Sequence, residues 1–140
     1  MQRAVELLAT SSDERRSHWL AAQAARAALR AALTPDDDRY LAFQMWQEGT
    51  ARYTELLAAR FAARRYTPTG SFRTLPDFIP FGTAAARIEA GIHAGLRAPL
   101  EERRRVAFYP LGAAYALLLD EFDRGWRASY LAGEMRLKKR

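Results

Sequence analysis

The stretch Leu41–Arg60, LAFQMWQEGTARYTELLAAR, has the composition of a helix and carries an acidic residue near its middle. A period of 3.6 residues predicts two contact faces for it. One face holds Phe43, Trp46, Thr50, Leu57 and Phe61, and the other holds Leu41, Met45, Glu48, Arg52, Glu55 and Ala59. A glycine inside a helix costs roughly 0.5–1 kcal/mol relative to alanine, so Gly49 predicts that another element approaches the backbone there.

The residues just before this stretch predict where its helix begins. Thr34 is a suitable N-cap, Pro35 suits the first helical position, and three aspartates follow at the positive end of the helix dipole. We expect one long central helix over residues 34–66, about 45 Å long at 1.5 Å per residue, with a bend near Gly49.

The rest of the chain is predicted as shorter helices around the central one. Residues 1–33 form N-terminal helices, the second of which begins at a capping box of Ser11 and Glu14. Residues 83–132 form the C-terminal helices: Thr83 caps the first, Pro110 begins a later one, and Gly125 opens the last. Residues 133–140 are a basic tail.

Between these two sets of helices, residues 67–82 contain three prolines and two glycines among aromatic and aliphatic side chains. Such a segment predicts an ordered crossover loop that packs by its aromatic rings. No segment alternates with the period of a strand. The expected fold is therefore all-α, a single domain over 1–140 that forms an irregular bundle of about five to seven helices with a Pro/aromatic-rich crossover loop.

Composition limits the chemistry that the chain can perform. The 140 residues include no cysteine, which excludes disulfides, thiolate zinc sites and cysteine nucleophiles. The net charge is +6, but most arginines are interleaved with acids and no nucleic-acid-reading motif is present, so nucleic acid is not the expected partner. No secretory start or apolar run of membrane-spanning length occurs, so we expect a cytoplasmic protein without a membrane span.

Three short motifs carry a resemblance to a known family. They are QEGTARY at 47–53, RVAFYPLGAAYALLLD at 105–120, and GWRASY at 125–130. Across roughly Arg39–Leu131 the chain resembles the C-terminal part of gluzincin-type zinc metallopeptidases, specifically bacterial proteins with a peptidase MA-like domain. In that family a helix with the pattern W-x-E-G-x-A-x-Y-x-E follows the H-E-x-x-H helix and supplies the third zinc ligand.

The resemblance implies roles for individual residues. Glu48 takes the position of the third zinc ligand, and Tyr109 the position of a tyrosine that stabilises the oxyanion. The sequence lacks H-E-x-x-H, and its two histidines, His18 and His93, are far apart in the chain. Zinc is the metal of the family, but we expect none to be bound by this chain alone.

The leading functional hypothesis is a C-terminal portion or remnant of a zinc-dependent peptidase, incomplete as a catalyst. It would supply the helix of the third ligand and part of a cleft for a peptide substrate. This hypothesis predicts an exposed apolar groove beside Glu48 and Met45, open to a second copy of the chain or to a missing N-terminal peptidase half. The alternative is a small helical interaction or scaffold protein with a mildly basic surface.

Each of these residues also has a purely structural interpretation. Glu48 and Glu55 would both pair with Arg52, and Asp120 with Arg124, at helical spacing. The two histidines would be surface or boundary residues. Three tyrosines are expected to be core aromatics whose hydroxyls reach a polar edge: Tyr53, Tyr109 and Tyr115.

Overall fold

A computed structural model describes residues 12–132 of the chain, and within that range the protein is helical with no strand. The helices are α1 (Ser12–Ala32), α2 (Pro35–Gln44), α3 (Thr50–Arg65), α4 (Gly70–Arg73), α5 (Phe81–Arg97), α6 (Leu100–Arg103), α7 (Phe108–Phe122) and α8 (Trp126–Leu131). A π-helical turn, Met45–Gly49, joins α2 to α3, and a 3-10 turn, Arg104–Ala107, joins α6 to α7. The all-α bundle predicted from the sequence is confirmed.

The central helical path begins where the sequence predicts. Thr34 is the N-cap of α2: its hydroxyl accepts a hydrogen bond from the backbone N–H of Asp37 at 3.2 Å and donates one to the Asp37 carboxylate at 2.6 Å. Helical backbone then continues through the π-helical turn to Arg65. The π-helical turn lies where the sequence predicts a bend, near Gly49.

The π-helical turn changes which residues face the core. A π turn holds one more residue than an α turn, so a 3.6-residue pattern drawn across it loses register. The predicted faces are therefore confirmed only in part: Thr50 is buried and Leu57 packs against the core, whereas Phe43 is 37% and Phe61 is 63% exposed. The buried positions along the path include Met45, Gly49, Tyr53 and Leu56.

The core is built around α7, which contacts the π-helical turn, α3 and α5. Gly112 on α7 lies directly against Gly49, so two helix backbones meet without side chains between them. This is the close approach that Gly49 predicts. On the other side, Trp19 of α1 stacks on Phe122 with 5.4 Å between ring centroids and lies 5.6 Å from Tyr115, which places α1 against α7.

The crossover segment packs by its aromatic rings, as expected, but it is not entirely loop. It contains the one-turn helix α4, whose N-cap Thr69 accepts a hydrogen bond from the backbone N–H of Phe72. The rings of Phe72, Phe78 and Phe81 lie 5.6–6.4 Å from one another, and Tyr66 contacts Phe81 at 5.7 Å. The segment thus folds largely on itself.

Two predicted helix boundaries are wrong. Helix α5 begins at Phe81 after Pro80 and not at a Thr83 cap, because the fixed φ of proline already suits a helix start. Helix α7 begins at Phe108, so Pro110 lies inside its first turn. Proline is tolerated there because first-turn N–H groups have no partner within the helix.

The capping box at Ser11 and the basic tail over 133–140 lie outside the described residues. Between residues 12 and 132, no helix is both long enough and apolar enough to cross a membrane.

Candidate functional site

Glu48 lies on the π-helical turn with its side chain only 10% exposed. Its Oε1 is 3.6 Å from Nε of Arg105, beyond the usual N–H···O range of about 2.7–3.2 Å. Its Oε2 is buried and accepts no hydrogen bond from the residues that the structure describes. The predicted pair with Arg52 is wrong, because Arg52 binds Glu55 at 2.7 Å. That second pair, also predicted, is confirmed.

Two neighbouring side chains on the same path also bury unpaired polar atoms. Gln44 Oε1 and Trp46 Nε1 have no hydrogen-bond partner in the described part of the chain. Each such atom costs about 1–3 kcal/mol. The Thr50 hydroxyl donates a hydrogen bond to the Trp46 carbonyl at the end of the turn. This backbone carbonyl therefore has a partner, although the three side-chain atoms do not. Of these residues, Trp46 and Glu48 lie on the π-helical turn itself, a helix type that often occurs at functional sites.

Arg105 reaches Glu48 because of an unusual turn before it. Arg104 has a φ of 46°, a conformation that costs a non-glycine residue roughly 1–3 kcal/mol. The turn separates two arginines: Arg103 lines a cleft with Arg52, whereas Arg105 lies beside Glu48. Sequence reasoning missed both roles, because the run Arg103–Arg105 shows only positive charge.

A second polar cluster ties three helices together at Asp120 on α7. Its Oδ1 accepts from Trp126 Nε1 at 2.8 Å and lies 2.7 Å from Arg127 Nη2, and its Oδ2 accepts from the Tyr53 hydroxyl. Arg127 also donates to the Tyr53 hydroxyl. The predicted local pair of Asp120 with Arg124 is wrong, because the carboxylate faces α3 and α8.

This cluster perturbs the tyrosine at its centre. Burial raises the pKa of Tyr53 to about 12, and the hydrogen bond to Asp120 adds to the rise, while the hydrogen bond from Arg127 opposes it. The pKa of Arg127 is raised as well, chiefly by its hydrogen bond to Tyr53. The phenol therefore keeps its proton well above the pH at which a free tyrosine loses it, near 10.

We predict a loss of stability at high pH that is specific to Tyr53. A folded-state pKa above the unfolded value means that folding favours the protonated phenol. The stabilisation is therefore complete below pH 10 and lost as the pH rises from about 10 towards about 12. Urea unfolding at pH 9, 10 and 11 should show a decline of about 1 kcal/mol that Tyr53→Phe removes. The control Tyr66→Phe, at a half-exposed ring, should keep the decline; equal slopes in all three proteins would contradict the prediction.

The other tyrosines divide between core and surface. Tyr115 is buried and its hydroxyl accepts from Gln23 at 3.1 Å, so Tyr53 and Tyr115 are confirmed as core aromatics with polar tips. Tyr109 is half-buried and lines the cleft that contains Arg52, whose guanidinium carbon lies 6.0 Å from the tyrosine ring centroid.

The residues near Glu48 supply only part of a zinc site. Glu48 fits the part of a single oxygen donor, because one carboxylate oxygen is buried and unpaired. Within the described range, however, no three His, Asp or Glu residues come close enough to hold a metal. His93 is half-buried on α5, and the side chain of His18, on α1, lies outside the described part. A complete zinc site is not assembled by these residues.

The groove predicted beside Glu48 and Met45 is wrong. Met45 is 2% exposed, because α7 packs over the π-helical turn. The face is therefore closed by the chain's own helix, and the Glu48 side chain stays only slightly exposed beside Arg105.

The described residues thus form three separate polar features: a buried carboxylate at 48, a tyrosine–aspartate–arginine cluster around residue 120, and an arginine-lined cleft at Tyr109. Comparison of the chain with protein-family models, curated proteins and solved structures gives no match. Its function is therefore inferred from these side chains and from the motifs that contain them.

Proposed function

We propose that the chain is the C-terminal helical portion of a zinc-dependent peptidase of the gluzincin type. Glu48 would be the third zinc ligand, and the histidine ligands would come from another polypeptide segment. The observation that carries the proposal is the buried, unpaired Oε2 of Glu48 on a π-helical turn. A carboxylate held this way costs stability, and metal ligation is a function that compensates for the cost.

The surroundings of Glu48 support this role. The π turn and the Gly49–Gly112 contact fix the backbone that carries the carboxylate. Arg105 lies near enough to orient one oxygen without occupying the other. Zinc held there would supply Lewis-acid chemistry for peptide hydrolysis, with Glu48 as one of its ligands. By the same resemblance, Tyr109 would donate a hydrogen bond to the oxyanion that forms on the peptide carbonyl.

The first test measures stability, because a buried, unpaired ligand carboxylate destabilises the folded protein. We expect Glu48→Gln to leave the free energy of unfolding unchanged or to raise it by up to about 1 kcal/mol, since a neutral amide costs less to bury than a carboxylate. Urea denaturation monitored by circular dichroism measures this. Glu55→Gln is the matched control: it breaks only the exposed pair with Arg52 and should cost no more than about 0.5 kcal/mol. A loss above about 2 kcal/mol for Glu48→Gln would show instead that the carboxylate is an essential structural partner.

The decisive test uses the coding DNA upstream of Met1. The proposal predicts an in-frame His-Glu-x-x-His there. The polypeptide that includes this segment should bind one zinc per chain, and Glu48→Gln should weaken zinc binding more than tenfold, by analogy with the losses on removing supporting groups of metal sites. An upstream frame without the motif, or equal zinc affinity in the two proteins, would refute the proposal.

The alternative function, a helical interaction or scaffold protein, has one observation in its favour. A cleft of about 540 Å³ between α1 and the α5–α7 region is lined mostly by apolar side chains, among them Leu29 and Leu100, which are 42% and 73% exposed. Analytical ultracentrifugation across a concentration series distinguishes the two. Self-association that Leu100→Ser abolishes and Glu48→Gln leaves intact would favour the alternative.

A further inference from the structure

A second cleft, of about 350 Å³, lies between the end of α6, the start of α7 and the exposed side of α5. Its volume is within the range of about 300–1,000 Å³ typical of small-molecule sites. Three arginines from three different helices line it: Arg52, Arg87 and Arg103. None of the described residues lining this cleft is acidic.

The charges of these arginines are largely uncompensated. Arg87 and Arg103 form no ion pair among residues 12–132, and Arg52 has one partner, the half-exposed Glu55. Guanidinium groups placed around one cleft repel one another, and a bound anion relieves that repulsion. The strained backbone at Arg104 lies immediately beside Arg103 and contributes to its placement at the cleft.

The lining of the cleft also has an apolar part. Ile88, Ile92 and Pro110 supply apolar surface, and Tyr109 adds an aromatic ring. Arginine binds carboxylate and phosphate through paired, parallel N–H···O bonds, which a compact ammonium group does not form. The lining therefore suits a ligand with an oxyanion at one end and a small apolar group at the other.

We propose that this cleft binds an oxyanion, a carboxylate or phosphate, carried on a small apolar body. Arg87 and Arg103 would contact the anion, and the isoleucines and Pro110 the apolar part. The inference is independent of the peptidase proposal, because it requires neither a metal nor Glu48.

Isothermal titration calorimetry of the full chain tests it with three probes. These are N-acetyl-L-leucine, its neutral amide, and inorganic phosphate. We expect one-to-one binding of the acid, of phosphate or of both, with Kd below about 1 mM, and no binding of the amide. Binding of the acid alone identifies a carboxylate ligand, and binding of phosphate alone identifies a phosphate ligand.

Matched substitutions locate the site. Arg87→Gln and Arg103→Gln should each weaken binding by about tenfold or more, the loss expected for a charge-assisted hydrogen bond. Arg64→Gln removes the same charge from an exposed position on α3 and should change Kd by less than about twofold. Failure of the wild-type chain to bind either anion, or equal weakening by Arg64→Gln, would overturn the proposal. None of these results depends on zinc or hydrolysis, so they stand apart from the test of Glu48.

Discussion

Gly49→Ala is expected to destabilise the protein by more than about 3 kcal/mol, or to prevent folding. The two glycines meet backbone to backbone. A Cβ on Gly112 would lie 2.6 Å from the Gly49 Cα and 2.7 Å from the Met45 carbonyl oxygen, and a Cβ on Gly49 would overlap the backbone of Gly112 in the same way. No side chain is available to move aside, so α7 must separate from the π-helical turn and expose the core between them.

Urea unfolding of Gly49→Ala and Gly112→Ala measures the effect, and the chain offers a matched control. Gly91 lies within α5, where an added Cβ meets no atom within 4 Å. Alanine has the higher helix propensity, so Gly91→Ala should raise the free energy of unfolding by about 0.5–1 kcal/mol. A cost below about 1 kcal/mol for both contact variants would show that the helices repack without the glycine pair.

The glycine contact shows what the sequence could and could not predict. A glycine within a strong helical run is costly enough to indicate a close neighbour, and this prediction is confirmed. The identity of the neighbour, Gly112, is decided by how α7 docks. The π turn could not be predicted from the sequence either, because an extra residue in one turn leaves the local composition unchanged. Because the π turn holds this extra residue, faces assigned at 3.6 residues per turn lose register with the buried side across it.

The candidate sites, too, could be predicted from the sequence only in part. The motif around Glu48 consists of neighbouring residues in the sequence. The burial of the Glu48 side chain and its approach to Arg105 depend instead on a contact between residues 57 positions apart. The arginine cleft is lined by Arg52, Arg87 and Arg103, which come from three different helices, α3, α5 and α6. Local spacing therefore indicates which residues are chemically unusual, while tertiary packing decides what each one meets.

Asp120→Ala should be the most damaging substitution of a polar residue, with an expected loss of about 3 kcal/mol. The carboxylate is contacted by groups on two other helices: the Tyr53 hydroxyl on α3, and Trp126 Nε1 and Arg127 on α8. Sequence spacing offered only Arg124 as its partner. With alanine at 120, the indole N–H loses its acceptor, Arg127 loses its counter-charge, and the attachment of α8 to α7 weakens.

The control is Asp77→Ala, which removes the same charge from an exposed position in the crossover segment and should change stability by less than about 0.5 kcal/mol.

Hydrogen exchange separates a local effect from a global one: the amides of α8 should lose protection first in Asp120→Ala, while those of α3 remain protected to the new global limit. Because α8 is held both by this cluster and by the packing of the Trp126 ring against Tyr53, at 5.5 Å between centroids, Tyr53→Phe should retain the packing and lose only the hydroxyl that donates to Asp120. Its cost should be about 1 kcal/mol, well below that of Asp120→Ala. If the two variants prove equally damaging, the carboxylate contributes no more than this one bond and the other two contacts carry no stability.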